Sequence, residues 1–110
     1  MTFPRRGEIF LVDFDPTRGH GIKKTRPALV IQNDVIVAAI SSRVSLVAYP
    51  VEVPIQPDQA NGLMLPSAIH LDQIRSIDQT HLVKRLGVID PATMRKVEDA
   101  IRISLGLVAI

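Results

Sequence analysis

The Arg26-Pro27 pair constrains this chain more than any other feature, because proline biases the residue before it away from the α region. The apolar run that follows, Ala28 to Gln32, is therefore expected to continue as a strand, with Arg26 held on rigid backbone at its start. An earlier run, Glu8 to Phe14, is rich in β-branched and aromatic residues and is closed by the turn signal Asp15-Pro16, so it too reads as a strand. Between the two, Thr17 to Arg26 carries Arg18, His20, Lys23, Lys24 and Arg26 with Gly19 and Gly21 and no acidic residue. Such a loop can wrap around an anion.

The rest of the chain repeats the pattern of short runs and punctuation. Val35 to Ile40 is expected to pair with Ala28 to Gln32 through a two-residue turn at Asn33-Asp34, and it stops at Ser41-Ser42-Arg43. Val44 to Ala48 is weak in pattern. Val51 to Ile55 reads as a strand that Pro54 confines to an edge or end. Gln56 to Gly62 is polar and turn-rich, a loop. Leu63 to Leu65, Ala68 to Leu71 and Ile74 to Asp78 read as short extended pieces, and His81 to Ile89 fits either a strand or a short helix. Only the C-terminus has helical spacing. Asp90 is a good N-cap, Pro91 suits the first helical position, and Met94, Val97, Ile101, Leu105 and Val108 share one side of a helix over about Pro91 to Leu107.

Short strands followed by one terminal helix imply a mainly β, single-domain fold, a curled antiparallel sheet or small barrel with a helix packed on it. At 110 residues there is room for one modest core. With one Tyr, three Phe and no Trp, that core must come from Val, Ile, Leu and Ala. The absence of cysteine removes disulfides, thiolate metal sites and cysteine nucleophiles together. No apolar run approaches the ~20 residues of a membrane span, so a soluble, cytoplasmic protein with no membrane partner is expected. The formal net charge is only +2, but positive charge is bunched at Arg5-Arg6 and from Arg18 to Arg26, and a local patch matters more than the total.

Gly19 to Thr25 has a superficial likeness to a phosphate-binding P-loop, but Lys23 replaces the glycine that motif needs before Lys-Thr, and Pro27 opens a strand in place of a helix. His20, His70 and His81 lack metal-ligand spacing, so no metal and no cofactor is expected, and His70 and His81 read as half-buried or surface histidines. Asp13 and Asp15 belong to a strand end and its turn, where solvated or capping roles are the expectation. Arg26 and Ser41 stand out. If the two strands pair in register, both fall at the same end of the sheet, and a guanidinium and a hydroxyl converging on one point make a phosphate site.

Four ordered motifs then carry a resemblance: Gly7 to Pro16, Thr25 to Asp34, Ile36 to Ser42 and Leu71 to Asp78 resemble the MazF/PemK toxin endoribonucleases, over essentially the whole chain. The resemblance implies an SH3-like small barrel with a C-terminal helix, a homodimer, and metal-independent cleavage of single-stranded RNA at a short sequence. It also implies neutralisation by a cognate antitoxin whose disordered C-terminal segment lies along the dimer. The family's catalytic arginine falls on Arg26 and its catalytic Thr or Ser on Ser41. RNA contacts are expected from Arg18, Gly19, Gly21, Lys23, Lys24, Thr25, Ser42, Arg43 and Gln73. Gly21 stands where many relatives carry a glutamate, which leaves His20 as the titratable group of the loop and the candidate for proton transfer. The competing reading is a non-cleaving RNA- or protein-binding module on the same fold, in the manner of the gyrase-poisoning CcdB toxins.

Overall fold

Among the described residues, the runs that begin at Glu8, Ala28, Val35, Val51 and Ala68 contribute strands, and the last run becomes a helix. The computed structural model describes residues 3–14, 25–33, 35–42 and 49–109, and these form β1 (Glu8–Asp13), β2 (Thr25–Gln32), β3 (Ile36–Ser41), β4 (Glu52–Ile55), β5 (Ser67–Ser76), β6 (Leu82–Val88) and the helix α1 (Pro91–Ser104). The sheet is antiparallel throughout, in the order β4-β5-β3-β2-β1-β6. Pro54 lies in the edge strand β4, where its missing N–H costs no ladder bond.

Alternation along the strands divides the sheet into two faces. One carries Ile9, Leu29, Ala38, Ile40, Val53, Ile69 and Leu71 into the main core, closed by Val97 and Ala100 of α1 with Met94 and Ile101 packed against it. Val12, Ala28, Val30, Val35 and Val37 form a smaller cluster with Phe10 and Phe14. The Ser104 hydroxyl donates to the Leu71 carbonyl at 2.6 Å, fastening the end of α1 to β5.

The two edges of the curled sheet are brought together by the β4–β5 connection. Val88 N–H donates to the Ala60 carbonyl at 2.8 Å, and a Cβ on Gly87 would overlap that same carbonyl, so only glycine allows this approach of β6 to the connection. Asn61, 1% exposed, holds the connection from within. Its side chain accepts from the N–H groups of Asp58 (3.1 Å) and Leu63 (2.9 Å) and donates to the Gln56 carbonyl (2.8 Å).

Several boundaries differ from the expectation. The β2–β3 turn has three residues rather than two, since the paired residues are Gln32 and Ile36. Val35 takes φ 64°, the left-handed position that closes such a loop. It is held there by burial of its side chain and by bonds from its N–H to Gln32 and to its carbonyl from Ile77, both 3.0 Å. Leu63 to Leu65 lies outside the strands. Ala68 to Leu71 and the first three residues of Ile74 to Asp78 are parts of one strand, β5, because β3 pairs with both across a register shift, while Ile77 and Asp78 lie beyond its end. His81 to Ile89 resolves into β6 after a 3₁₀ turn, Gln79–His81.

The helix stops at Ser104, short of Leu107. Gly106 at φ +74° lets its N–H reach Ile103 O (3.1 Å) and Leu107 N–H reach Arg102 O (2.7 Å), the paired bonds of a Schellman C-cap. Leu105 and Val108 are consequently exposed, not on the buried helix face. Val44 to Ala48, the expected weak run, lies outside the described residues. Among the described residues no helix is long and apolar enough to cross a membrane.

Candidate functional site

Arg26 is the second residue of β2, paired with Val12 of β1, and its side chain is exposed. Thr25, half-buried beside it, pairs with Asp13. On the next strand the register runs Ala28 to Ala39 and Leu29 to Ala38, so alternation puts Arg26 and Ser41 on the same face at the same end of the hairpin. This is the juxtaposition that the hairpin reading anticipated. Ser42 follows, exposed.

A cavity of about 550 Å³ opens at this end, lined by Arg26, Ser41, Ser42 and Ser67 together with Leu11, Pro27, Ile40, Gly62, Leu63, Met64, Leu65 and Leu86. Leu11, Pro27 and Ile40 share the strand alternation of the main core, whereas Arg26 and Ser41 have the opposite one. The cavity is thus an apolar recess behind a polar strip. Met64, 91% exposed, and Leu65 form its outer lip.

The Ser41 hydroxyl is engaged on the face opposite the main core. Its Oγ lies 2.7 Å from Nε2 of His70, in β5, which is itself buried. His70 was read from the sequence as a half-buried or surface residue, and the structure puts it in contact with a predicted site residue. Beyond it, Nδ1 of His70 faces Glu52 Oε1 of β4 at 3.6 Å and Asp72 Oδ1 at 4.0 Å. From the sequence alone His70 has no expected functional role, and Glu52 is not considered at all. The available signal was slight, a lone imidazole in the otherwise apolar run Ala68 to Leu71.

Gln73 sits in the irregular part of β5, exposed and away from the cavity lining. His20, Arg18, Gly19, Gly21, Lys23, Lys24 and Arg43 lie outside the described residues. Arg26, the hydroxyls of Ser41, Ser42 and Ser67 and the buried imidazole of His70 thus gather at one end of the sheet, next to an apolar recess. That set can bind an oxyanion, place a hydroxyl against it and move a proton.

Comparison with known proteins agrees with the fold. Residues 5–105 match the family model of PemK-like, MazF-like toxins of type II toxin–antitoxin systems. An endoribonuclease MazF of Staphylococcus saprophyticus is 38% identical, the match covering 94% of this chain and 92% of the relative. Among solved structures, a mycobacterial endoribonuclease in complex with its cognate antitoxin superposes with a TM-score of 0.70 at 26% identity, covering 97% of this chain and 99% of that one. A MazE–MazF structure from Deinococcus radiodurans gives a TM-score of 0.75 at 23% identity, covering 98% and 100%. With its motifs, its strand order and its terminal helix all of this type, the chain belongs to the PemK-like, MazF-like toxin family of type II toxin–antitoxin systems.

Proposed function

We propose that this chain is an endoribonuclease toxin that cuts single-stranded mRNA at a short sequence, without a metal, and so arrests translation and growth. The observation that carries the reading is Arg26 and Ser41 on one sheet face at one end, in a chain 38% identical to a protein named as an endoribonuclease. In the reaction the RNA 2′-hydroxyl attacks the adjacent phosphorus, leaving a 2′,3′-cyclic phosphate and a 5′-hydroxyl. Negative charge builds on the non-bridging oxygens, and the Arg26 guanidinium offsets it where a metal otherwise would. The adjoining recess is of the size and apolarity that accept a splayed nucleobase, the usual way in which single-stranded RNA is read. Dependence on the 2′-hydroxyl makes DNA a ligand that is bound but not cut.

The working form in this reading is a homodimer. Leu105, Leu107 and Val108 leave apolar surface exposed on the single chain, and a two-fold pairing brings two basic segments to one groove. An acidic antitoxin tail then competes with RNA by presenting carboxylates to Arg18, Lys23, Lys24 and Arg26.

Incubation with a long single-stranded RNA in EDTA tests the reading. Discrete fragments are expected from the parent chain. Arg26→Ala is expected to cut about 10²- to 10³-fold more slowly while keeping its melting temperature, since the side chain is exposed. An RNA that is bound and stays intact would instead establish a non-cleaving module.

A further inference from the structure

Attack by a 2′-hydroxyl requires a group that takes its proton, and a guanidinium, which has N–H donors and no acceptor, does not serve. The residue bonded to Ser41 can. The His70 ring is buried, with Nε2 at 2.7 Å from Ser41 Oγ and Nδ1 turned to Glu52 Oε1 at 3.6 Å. The sheet itself builds this line: Ala28, Ala39, His70 and Glu52 stand opposite one another on four consecutive strands. Of the two acids near Nδ1, the Glu52 side chain is 18% exposed and that of Asp72 50%, so Glu52 shares the dry surroundings of the ring and Asp72 does not. An imidazole between a carboxylate and a hydroxyl settles into the tautomer with Nδ1–H toward the carboxylate, which leaves Nε2 to accept from the hydroxyl.

We propose that His70, oriented by Glu52, is a positioning residue that turns the Ser41 hydroxyl into a proton relay for RNA cleavage. The proposal rests on the nuclease reading above and supplies its missing base. As the 2′-oxygen bonds to phosphorus and the bond from phosphorus to the 5′-oxygen breaks, the 2′-hydroxyl proton passes to Ser41 Oγ and the proton of Ser41 passes to His70 Nε2. The 5′-oxygen takes a proton from water, and His70 returns its proton to the hydroxide so formed. No water is consumed, and the products are the cyclic phosphate and the 5′-hydroxyl. The groups that set the charge around the ring are Glu52 on β4, Asp72 on β5 itself, and Arg26 on the same face of β2, while Lys96 and Asp99 of α1 border Glu52 in a shallow cavity at the sheet edge.

Single-turnover cleavage of single-stranded RNA by the full chain, followed across pH, separates this from a structural role. His70→Gln is expected to slow cleavage about 10²- to 10⁴-fold, to abolish the rise of rate with pH, and to leave affinity for an RNA bearing a 2′-deoxy group at the cut site unchanged. Because the two residues act as a unit, Ser41→Ala combined with His70→Gln should be no slower than the slower single variant. The relay is overturned by any of three results: His70→Gln at the parental rate, a parental rate that does not rise with pH, or a rise that persists in His70→Gln and vanishes in His20→Ala. Should His70→Gln melt early, Glu52→Gln on the edge strand decides, with an expected loss of about tenfold, modest because 3.6 Å is long for a hydrogen bond; an unchanged rate there overturns the relay as well. Failure of the parent chain to cut any RNA removes the nuclease reading and the relay together, whereas a cutting parent with an equally fast His70→Gln removes the relay alone.

Discussion

Replacing Asn61 by alanine should unfold this protein far more readily than substitution of an ordinary loop residue. The side chain is 1% exposed and makes three hydrogen bonds, accepting from Asp58 and Leu63 and donating to Gln56. Each such bond is worth about 1 kcal/mol net, so the loss is about 3 kcal/mol, and the Leu63 N–H is left buried with no acceptor in place of Asn61. That is a large share of the roughly 5–15 kcal/mol that holds a domain folded. At about 2.1 cal/mol/K of unfolding entropy per residue, a chain of this length should melt about 13 °C lower. The assay is thermal unfolding at one fixed protein concentration, because association makes the midpoint concentration-dependent. Since the same connection supplies Leu63, Met64 and Leu65 to the cavity, RNA binding should weaken in parallel. A shift smaller than about 3 °C would refute the assignment of this asparagine as the internal tie of the β4–β5 connection.

Two further outcomes can be checked by unfolding measurements. Gly87→Ala drives a methyl group into the Ala60 carbonyl and the Asn61 backbone, so β6 and the connection must part; a destabilisation of about 1–3 kcal/mol or more is expected from urea unfolding, and an unchanged midpoint would show that the contact yields freely. Asp90 caps α1, and its carboxyl is held below the ordinary aspartate range by hydrogen bonds from the Thr93 side chain and then the Thr93 backbone N–H. A carboxylate so lowered contributes stability above its unfolded value, roughly 4, and loses it as pH falls through the folded one. The gap in melting temperature between parent and Asp90→Ala should therefore be present at neutral pH and close in acid.

The elements that were legible in the sequence are those whose signals are local. The start of α1 needed only Asp90 and Pro91, and the edge position of β4 only Pro54. Its end was misread because periodicity ran on through Leu105 and Val108, while one glycine at φ +74° stopped the helix. Leu63 to Leu65 shows the opposite failure: three apolar residues look extended, yet the backbone there answers to Asn61 and Gly62, a tertiary tie that no propensity encodes.

The site divides along the same line. Arg26 and Ser41 belong to one hairpin, so a short turn and a register suffice to bring them together. His70 and Glu52 required two more strand pairings and an irregularity. β3 pairs Ala38 with Ile74 and then Ala39 with His70, skipping three residues of β5. Had the ladder continued without that shift, Gln73 would stand opposite Ala39, Asp72 opposite Ile40 and Leu71 opposite Ser41. An odd shift exchanges the two faces of the remaining strand. Here it returns Ile69 and Leu71 to the main core, keeps the Asp72 carboxylate out of it, and delivers the imidazole to the face where the Ser41 hydroxyl already points. A single local distortion of β5 thus serves packing and chemistry together, and nothing short of the paired strands could have revealed it.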